Sequence, residues 1–176
     1  YANNAWTQLG SDIDGEAADD FSGWSVSLSG DGTILAIGAP YNDDGGNRSG
    51  TVRVFQYANN AWTQLGSDID GEAADDESGK SVSLSNDGTT LAISAPGNDG
   101  NGVYSGHVRV YQYSNNAWTQ LGQDIDGEAD DNSGGSVSLS SDGTILAIGA
   151  QQNDGNGLYS GHVRVYQYVN NTWTQL

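Results

Sequence analysis

The stretch "WSVSLSGDGTILAIGA" at residues 24–39 decides how the chain is read. Its first half alternates Val26 and Leu28 with serines, the period of two that places apolar side chains on one face of a strand. Gly30-Asp31-Gly32 follows, and residues that tolerate left-handed backbone angles close a hairpin. The second half, "TILAIGA" at 33–39, is apolar on both faces, as suits a strand sandwiched between neighbouring layers. Two more segments complete the unit: "TVRVFQY" at 51–57, rich in β-branched and aromatic residues, and "AWTQLG", first met at 5–10, which follows the third strand across an Asn-Asn turn. No segment keeps a 3.6-residue apolar period over the ten or more residues a helix needs. The chain is expected to be all β.

The unit repeats. The phrase "YANNAWTQLGSDIDGEAADD" at 1–20 returns unchanged at 57–76, and a near copy starts at Tyr113. Of 56 aligned positions in the first two copies, 44 are identical. One residue is lost in the third, where "GEAADD" becomes "GEADD" at 127–131. Copies this uniform imply that each occupies nearly the same environment. Four antiparallel strands in about 56 residues is the pattern of a propeller blade, which cannot bury both faces alone and stacks on the next. The expected fold is therefore three tandem four-stranded β-propeller blades in an incomplete ring or open array. Residues 1–22 are read as the outer strand and linking loop of a preceding blade, 23–66 as blade 1, 67–122 as a loop plus blade 2, and 123–176 as a loop plus blade 3.

A net charge of −18, with one lysine and four arginines among 176 residues, leaves no basic stripe for phosphates, so nucleic acid is not an expected partner. Cysteine is absent, which excludes disulfides and thiolate metal sites. No run of eighteen apolar residues is present, so no membrane span is expected in this segment. High acidity alone would suit a disordered chain. Five tryptophans, nine tyrosines and regular Val, Leu and Ile positions argue for a packed one.

The residues at 21–40 and 49–57 together resemble the FG-GAP repeat, the blade unit of integrin α-subunit propellers and of many bacterial and algal surface proteins. Its Gly-Ala-Pro signature stands at Gly38-Ala39-Pro40, becomes Ser94-Ala95-Pro96, and decays to Gly149-Ala150-Gln151; Phe21 keeps an aromatic that Glu77 and Asn132 replace. The resemblance implies a β-propeller in an extracellular or cell-surface setting, with a role in adhesion or structure rather than catalysis. One departure is clear. The integrin-type calcium loop between the first two strands is reduced to a single Asp31, Asp87 or Asp142, too few for the six to eight oxygens calcium takes.

A different acidic loop, "SDIDGEAADD", offers carboxylates that could hold calcium: Asp12, Asp14, Glu16 and Asp19, then Asp68, Asp70, Glu72 and Asp75, then Asp124, Asp126 and Glu128. Solvated acidity with turn-forming side chains is the competing explanation. Trp6, Trp62, Trp118 and Trp173 recur on the outer strand, where packing between blades is expected. Asn47 and Asn170 open N-glycosylation sequons. Arg53, Arg109 and Arg164 recur on the third strand as expected partners of the acidic loops. His107 and His162 stand where the first copy has Thr51, and no Ser-His-Asp set surrounds them. No catalytic residue and no enzymatic activity is expected.

The chain ends as it begins, "YVNNTWTQL" against "YANNAWTQL". Three blades do not close a propeller, so an excerpt of a longer tandem array, a ring of two chains, or a head-to-tail filament all fit. The leading expectation is a non-enzymatic extracellular structural or adhesive protein, whose partners are copies of itself or further blades of one polypeptide. The alternative is a carbohydrate- or protein-binding module that uses its polar loops on glycans or extracellular proteins, with calcium in a supporting role.

Overall fold

The computed structural model describes residues 4–176, which contain fourteen strands and no helix. Blade 1 comprises β1 (Ser25–Leu28), β2 (Ile34–Ala39), β3 (Thr51–Ala58) and β4 (Ala61–Gln64), antiparallel in that order. A two-residue strand, β5 (Ile69–Asp70), pairs with the far end of β3. Blade 2 repeats the pattern with β6 (Val82–Leu84), β7 (Thr90–Ala95), β8 (His107–Ser114) and β9 (Ala117–Gln120), and β10 (Ile125–Asp126) pairs with β8. Blade 3 is β11 (Ser133–Leu139), β12 (Ile145–Ala150), β13 (His162–Val169) and β14 (Thr172–Gln175). The three blades form an open, not a closed, ring.

Local chemistry sets both hairpins of each blade. Between β1 and β2, Asp31 accepts from the Ser29 hydroxyl (2.8 Å), the Thr33 amide (2.9 Å) and the Thr33 hydroxyl (2.8 Å), while Gly32 takes φ +73°. Asp87 and Asp142 do the same in the other blades. Between β3 and β4, Asn59 and Asn60 both have positive φ and Ala58 pairs with Ala61, so the turn is the two-residue type that matches strand twist.

The core lies between blades. Ile34, Ala36, Val52 and Val54 of blade 1 pack with Val82, Leu84, Leu91 and Ile93 of blade 2. Ala92, Val108 and Val110 of blade 2 pack with Leu146 and Ile148 of blade 3, against which Val137 and Leu139 also rest. Hydroxyls complete each junction. Ser27 Oγ accepts from the Leu84 amide (3.0 Å), and Ser81 and Ser83 accept from the Val137 and Leu139 amides (3.1 and 2.9 Å). Ser25 donates to the Gly79 carbonyl (2.7 Å).

Residues 5–10 depart from the strand expected there, with a single bridge at Ala5. The same sequence at β4 is held by β3 over Phe55 to Ala58. The outer strand expected from Tyr1 lies partly outside the described residues.

Hydrogen bonds hold the Asp87 carboxyl below its ordinary range, the Ser85 hydroxyl first and the Thr89 amide next. A carboxylate so lowered adds stability above the unfolded value that is lost as pH falls through the folded one. Asp87→Ala is therefore expected to cost about 1 kcal/mol at pH 7, and urea unfolding should show the difference vanishing once the solution is more acidic than the carboxylate range.

Candidate functional site

Each acidic loop begins where one outer strand ends and is fastened at several points. The Leu65 amide donates to Val54 (2.7 Å), and the Leu65 carbonyl accepts from Trp118 Nε1 (2.8 Å). Gly66 follows with φ +82°, and a Cβ there would lie 2.9 Å from Trp118 Cδ1, so the tight approach of the ring requires glycine. Buried Ile69 then anchors β5 against β3. Further on, Asp76 accepts from the Ala73 amide (3.1 Å) and from Asn98 Nδ2 (3.2 Å). These fastenings put Asp68 just before the short strand and Glu72 just after it.

Carboxylates of one loop were the expected metal set, whereas the groups that converge draw on successive loops. Ligand atoms of Glu16, Asp44 and Asp68 lie within 4.8 Å of one another, and so do those of Glu72, His107 and Asp124. Glu16 and Glu72 occupy equivalent positions in successive repeats, as do Asp68 and Asp124. Partial burial raises the Glu16 carboxyl above its ordinary value; Arg53 opposes this, and Asp68, Asp44 and Asp20 add to it.

The candidate carboxylates, including two of those that converge, also have partners nearby. Asp12 accepts from Gln8 Nε2 (2.8 Å), and Gln64 and Gln120 serve Asp68 and Asp124 in the same way. Asp14 and Asp70 turn their backbone carbonyls to Arg53 Nη2 (2.7 Å) and Arg109 Nη2 (3.1 Å). Asp70 also accepts from the Thr51 hydroxyl (2.8 Å). Asp19 and Asp75 adopt positive φ, Asp126 stands opposite His107 in the β8–β10 register, and Glu128 pairs with Arg164. All three recurrent arginines thus reach a glutamate of the acidic loops, with Arg53 3.8 Å from Glu16 and Arg109 3.1 Å from Glu72.

Sequence reasoning missed His107 as a member of this set. It is 2% exposed, and its Nε2 has no hydrogen-bond partner. Burial lowers its pKa first and Arg109 next, against the pull of Asp124, Glu72 and Asp76. The available signal was the change from Thr51 to His107 at a position in register with an aspartate. His162, the third equivalent, lies 3.9 Å from Asp131 instead.

An aromatic cluster lies beside the start of β1 at the first junction. Phe21, Trp24 and Tyr41 stand with ring centroids 5.2 to 6.2 Å apart. Lys80 Nζ lies 4.3 Å from the Trp24 centroid, and Arg48 lies 4.3 Å from that of Tyr41. Glu77 bridges the two cations. Phe21 and Trp24 are half exposed.

The recurrent tryptophans grade from exposed Trp6 through half-buried Trp62 and Trp118 to buried Trp173. The last three each stack near a tyrosine of the preceding strand and donate Nε1 to a leucine carbonyl of the previous repeat, Leu9, Leu65 and Leu121. Asn47 and Asn170, the sequon residues, are exposed.

Four-stranded antiparallel blades that share inter-blade cores make this a β-propeller-type protein. Models of the FG-GAP repeat match residues 11–55, 68–111 and 123–166. The chain belongs to the FG-GAP repeat family. No curated protein sequence is matched. Among solved structures, it is similar to a putative 6-phosphogluconolactonase from Bacteroides fragilis, with 17% identity, a TM-score of 0.57, and 86% of this chain covering 36% of that one. It is also similar to a periplasmic gluconolactonase from Pseudomonas aeruginosa, with 20% identity, a TM-score of 0.52, and coverage of 82% and 39%. A third likeness is to the β-propeller domain of Cps50 (Swd1) from Myceliophteria thermophila, with 13% identity, a TM-score of 0.52, and coverage of 86% and 37%. The chain spans less than two fifths of the length of each of these structures. At these identities the likeness is one of fold.

The comparison corrects one expectation from sequence, that the chain is no enzyme. Gluconolactonases and phosphogluconolactonase-like proteins share this blade arrangement. The architecture is therefore one that hosts catalysis, and the lack of a recognisable triad does not exclude activity.

The buried Arg109 is expected to matter more than its partly buried counterpart Arg164. Arg109→Ala strands the Asp70 carbonyl and Glu72 and should cost about 2 kcal/mol, whereas Arg164→Ala, which breaks a pair with a largely exposed glutamate, should cost less than about 1 kcal/mol. Urea unfolding of the two variants checks the contrast.

Proposed function

We propose that the chain is a structural or adhesive repeat module of the cell exterior, continued at both faces by blades of its own kind, either further repeats of one polypeptide or a second copy. The observation that carries this reading is that each end face is half of a junction whose other half the chain also contains. Val26 and Leu28 on blade 1 are 62% and 56% exposed, whereas their equivalents Val82 and Leu84 are each 7% exposed, packed with Ile34, Ala36, Val52 and Val54. On blade 3, Val163 is 68% exposed, whereas Val52 and Val108 are fully buried. Apolar faces of this kind favour association. The family supports a surface setting, and among the described residues no helix is long and apolar enough to cross a membrane. The oxygen-only group of Glu16, Asp44 and Asp68 is the place in this reading where calcium would be taken.

Light scattering tests the reading with two face-blocking variants. The wild-type chain should grow in mass with concentration, and Val26→Arg or Val163→Arg alone should stay monomeric. Mixing the two variants should stop at a pair, since only one intact face of each kind remains. A wild-type chain that stays monomeric at high concentration overturns the proposal.

A second reading, as a carbohydrate- or protein-binding module, is favoured by the half-exposed Phe21 and Trp24 beside Tyr41, because exposed aromatic faces stack on sugars. Trp24→Ala should then abolish binding on a glycan array, while wild-type protein that binds no glycan removes this reading.

A further inference from the structure

The geometry points to a binding site for a divalent first-row transition cation, zinc being the test ion, formed by Glu72, His107 and Asp124 where blade 2 meets its two connecting loops. A ring nitrogen of His107 and a carboxylate oxygen from each of the two acids lie within 4.8 Å of one another. His107 is 2% exposed, and its Nε2 has no partner. Buried polar atoms are almost always hydrogen-bonded, so such a nitrogen calls for an explanation. The first blade shows the position satisfied, since Thr51 donates its hydroxyl to Asp70 at 2.8 Å. Replacing Thr by His at this place gives up that bond and leaves a buried ring nitrogen without a partner on a residue that lies beside two carboxylates.

The donor set selects the class of ion. Imidazole with carboxylates suits zinc and its neighbours in the first transition row, whereas calcium takes oxygen ligands alone. Three protein ligands with solvent in the remaining position is a common zinc arrangement. Bonds of about 2.0–2.2 Å place tetrahedral ligand atoms ~3.4 Å apart, a closure within reach of the Glu72 side chain, which is 48% exposed. Each carboxylate also has an outer partner that orients it, as metal-binding carboxylates do. Arg109 Nη1 lies 3.1 Å from Glu72 Oε1, which leaves Oε2 for the cation, and Gln120 Nε2 lies 2.6 Å from Asp124 Oδ1. Arg109 also offsets part of the negative charge, so the titration must run from micromolar into millimolar zinc. Burial favours the neutral imidazole a metal requires.

The site stands independently of assembly at the end faces. Its ligands come from the loop before blade 2, the start of β8 and the loop after β9, so an ion there would tie both loops to one blade.

The test is calorimetric titration of the full chain with zinc, together with the absorption spectrum of the cobalt-substituted protein. The expected result is one equivalent bound, with a rise in thermal midpoint and no displacement by millimolar calcium. His107→Thr, which restores the residue of the first blade, should weaken affinity at least about tenfold, and His162→Thr should leave it unchanged. Should His107→Thr fail to fold, the double variant Glu72→Gln, Asp124→Asn reads the same loss from the other ligands. Wild-type protein without zinc binding at millimolar concentration overturns the proposal, as does a folded His107→Thr that binds like wild type.

Discussion

The open edge of each inner strand is the constraint on which the stack depends. β1, β6 and β11 pair with only one strand of their own blade, and backbone groups on the other edge need partners. The previous blade supplies them through its serines, Ser27 to the Leu84 amide and Ser81 and Ser83 to the Val137 and Leu139 amides. The intervening Val82 and Leu84 are buried in the same junction. An inner strand of alternating serine and aliphatic residue thus offers hydroxyls to the next blade and apolar bulk to the one before it. Both requirements fall on the same few residues, which accounts for the identity of "SVSLS" in all three copies.

Much of this was legible in the sequence because it is local. The Asp-Gly hairpins, the Asn-Asn turns and the doubly apolar second strand each rest on residues only a few positions apart. Contacts across the repeat were not legible. The short strands at Ile69–Asp70 and Ile125–Asp126 are too brief to leave a periodic signal, and they exist only because the ends of β3 and β8 present an unpaired edge. The acidic loop looked like a self-contained ligand set, since its carboxylates lie close in sequence. Folding separates them: alternate residues pair with glutamine, arginine or threonine, and the groups that meet come from loops one repeat apart. Asp44, in the loop between β2 and β3, joins one of those groups without any sign in the repeat pattern.

Repetition also explains why small departures stand out. Three copies in nearly equal surroundings act as controls for one another, so Thr51 against His107 and Trp24 against Lys80 and Gly135 are places where environments or duties differ. At the first the change leaves a buried nitrogen without a partner. At the second it sets a lysine from one blade over a tryptophan from the previous one. The first leaves the strand register as it was, Ala39 facing Thr51 and Ala95 facing His107, which is how a uniform scaffold can acquire individual sites.

The tryptophan clasp, in which Trp62, Trp118 and Trp173 each reach back to a leucine carbonyl 52 or 53 positions earlier, bears on how such a chain grows and shrinks over generations. Every junction contact is made between adjacent repeats, and the residue missing from the third copy is absorbed in the loop at 127–131. Removing or duplicating a whole unit would leave each remaining contact with its proper counterpart. Length is then the quantity most free to vary in this design, and phase the least.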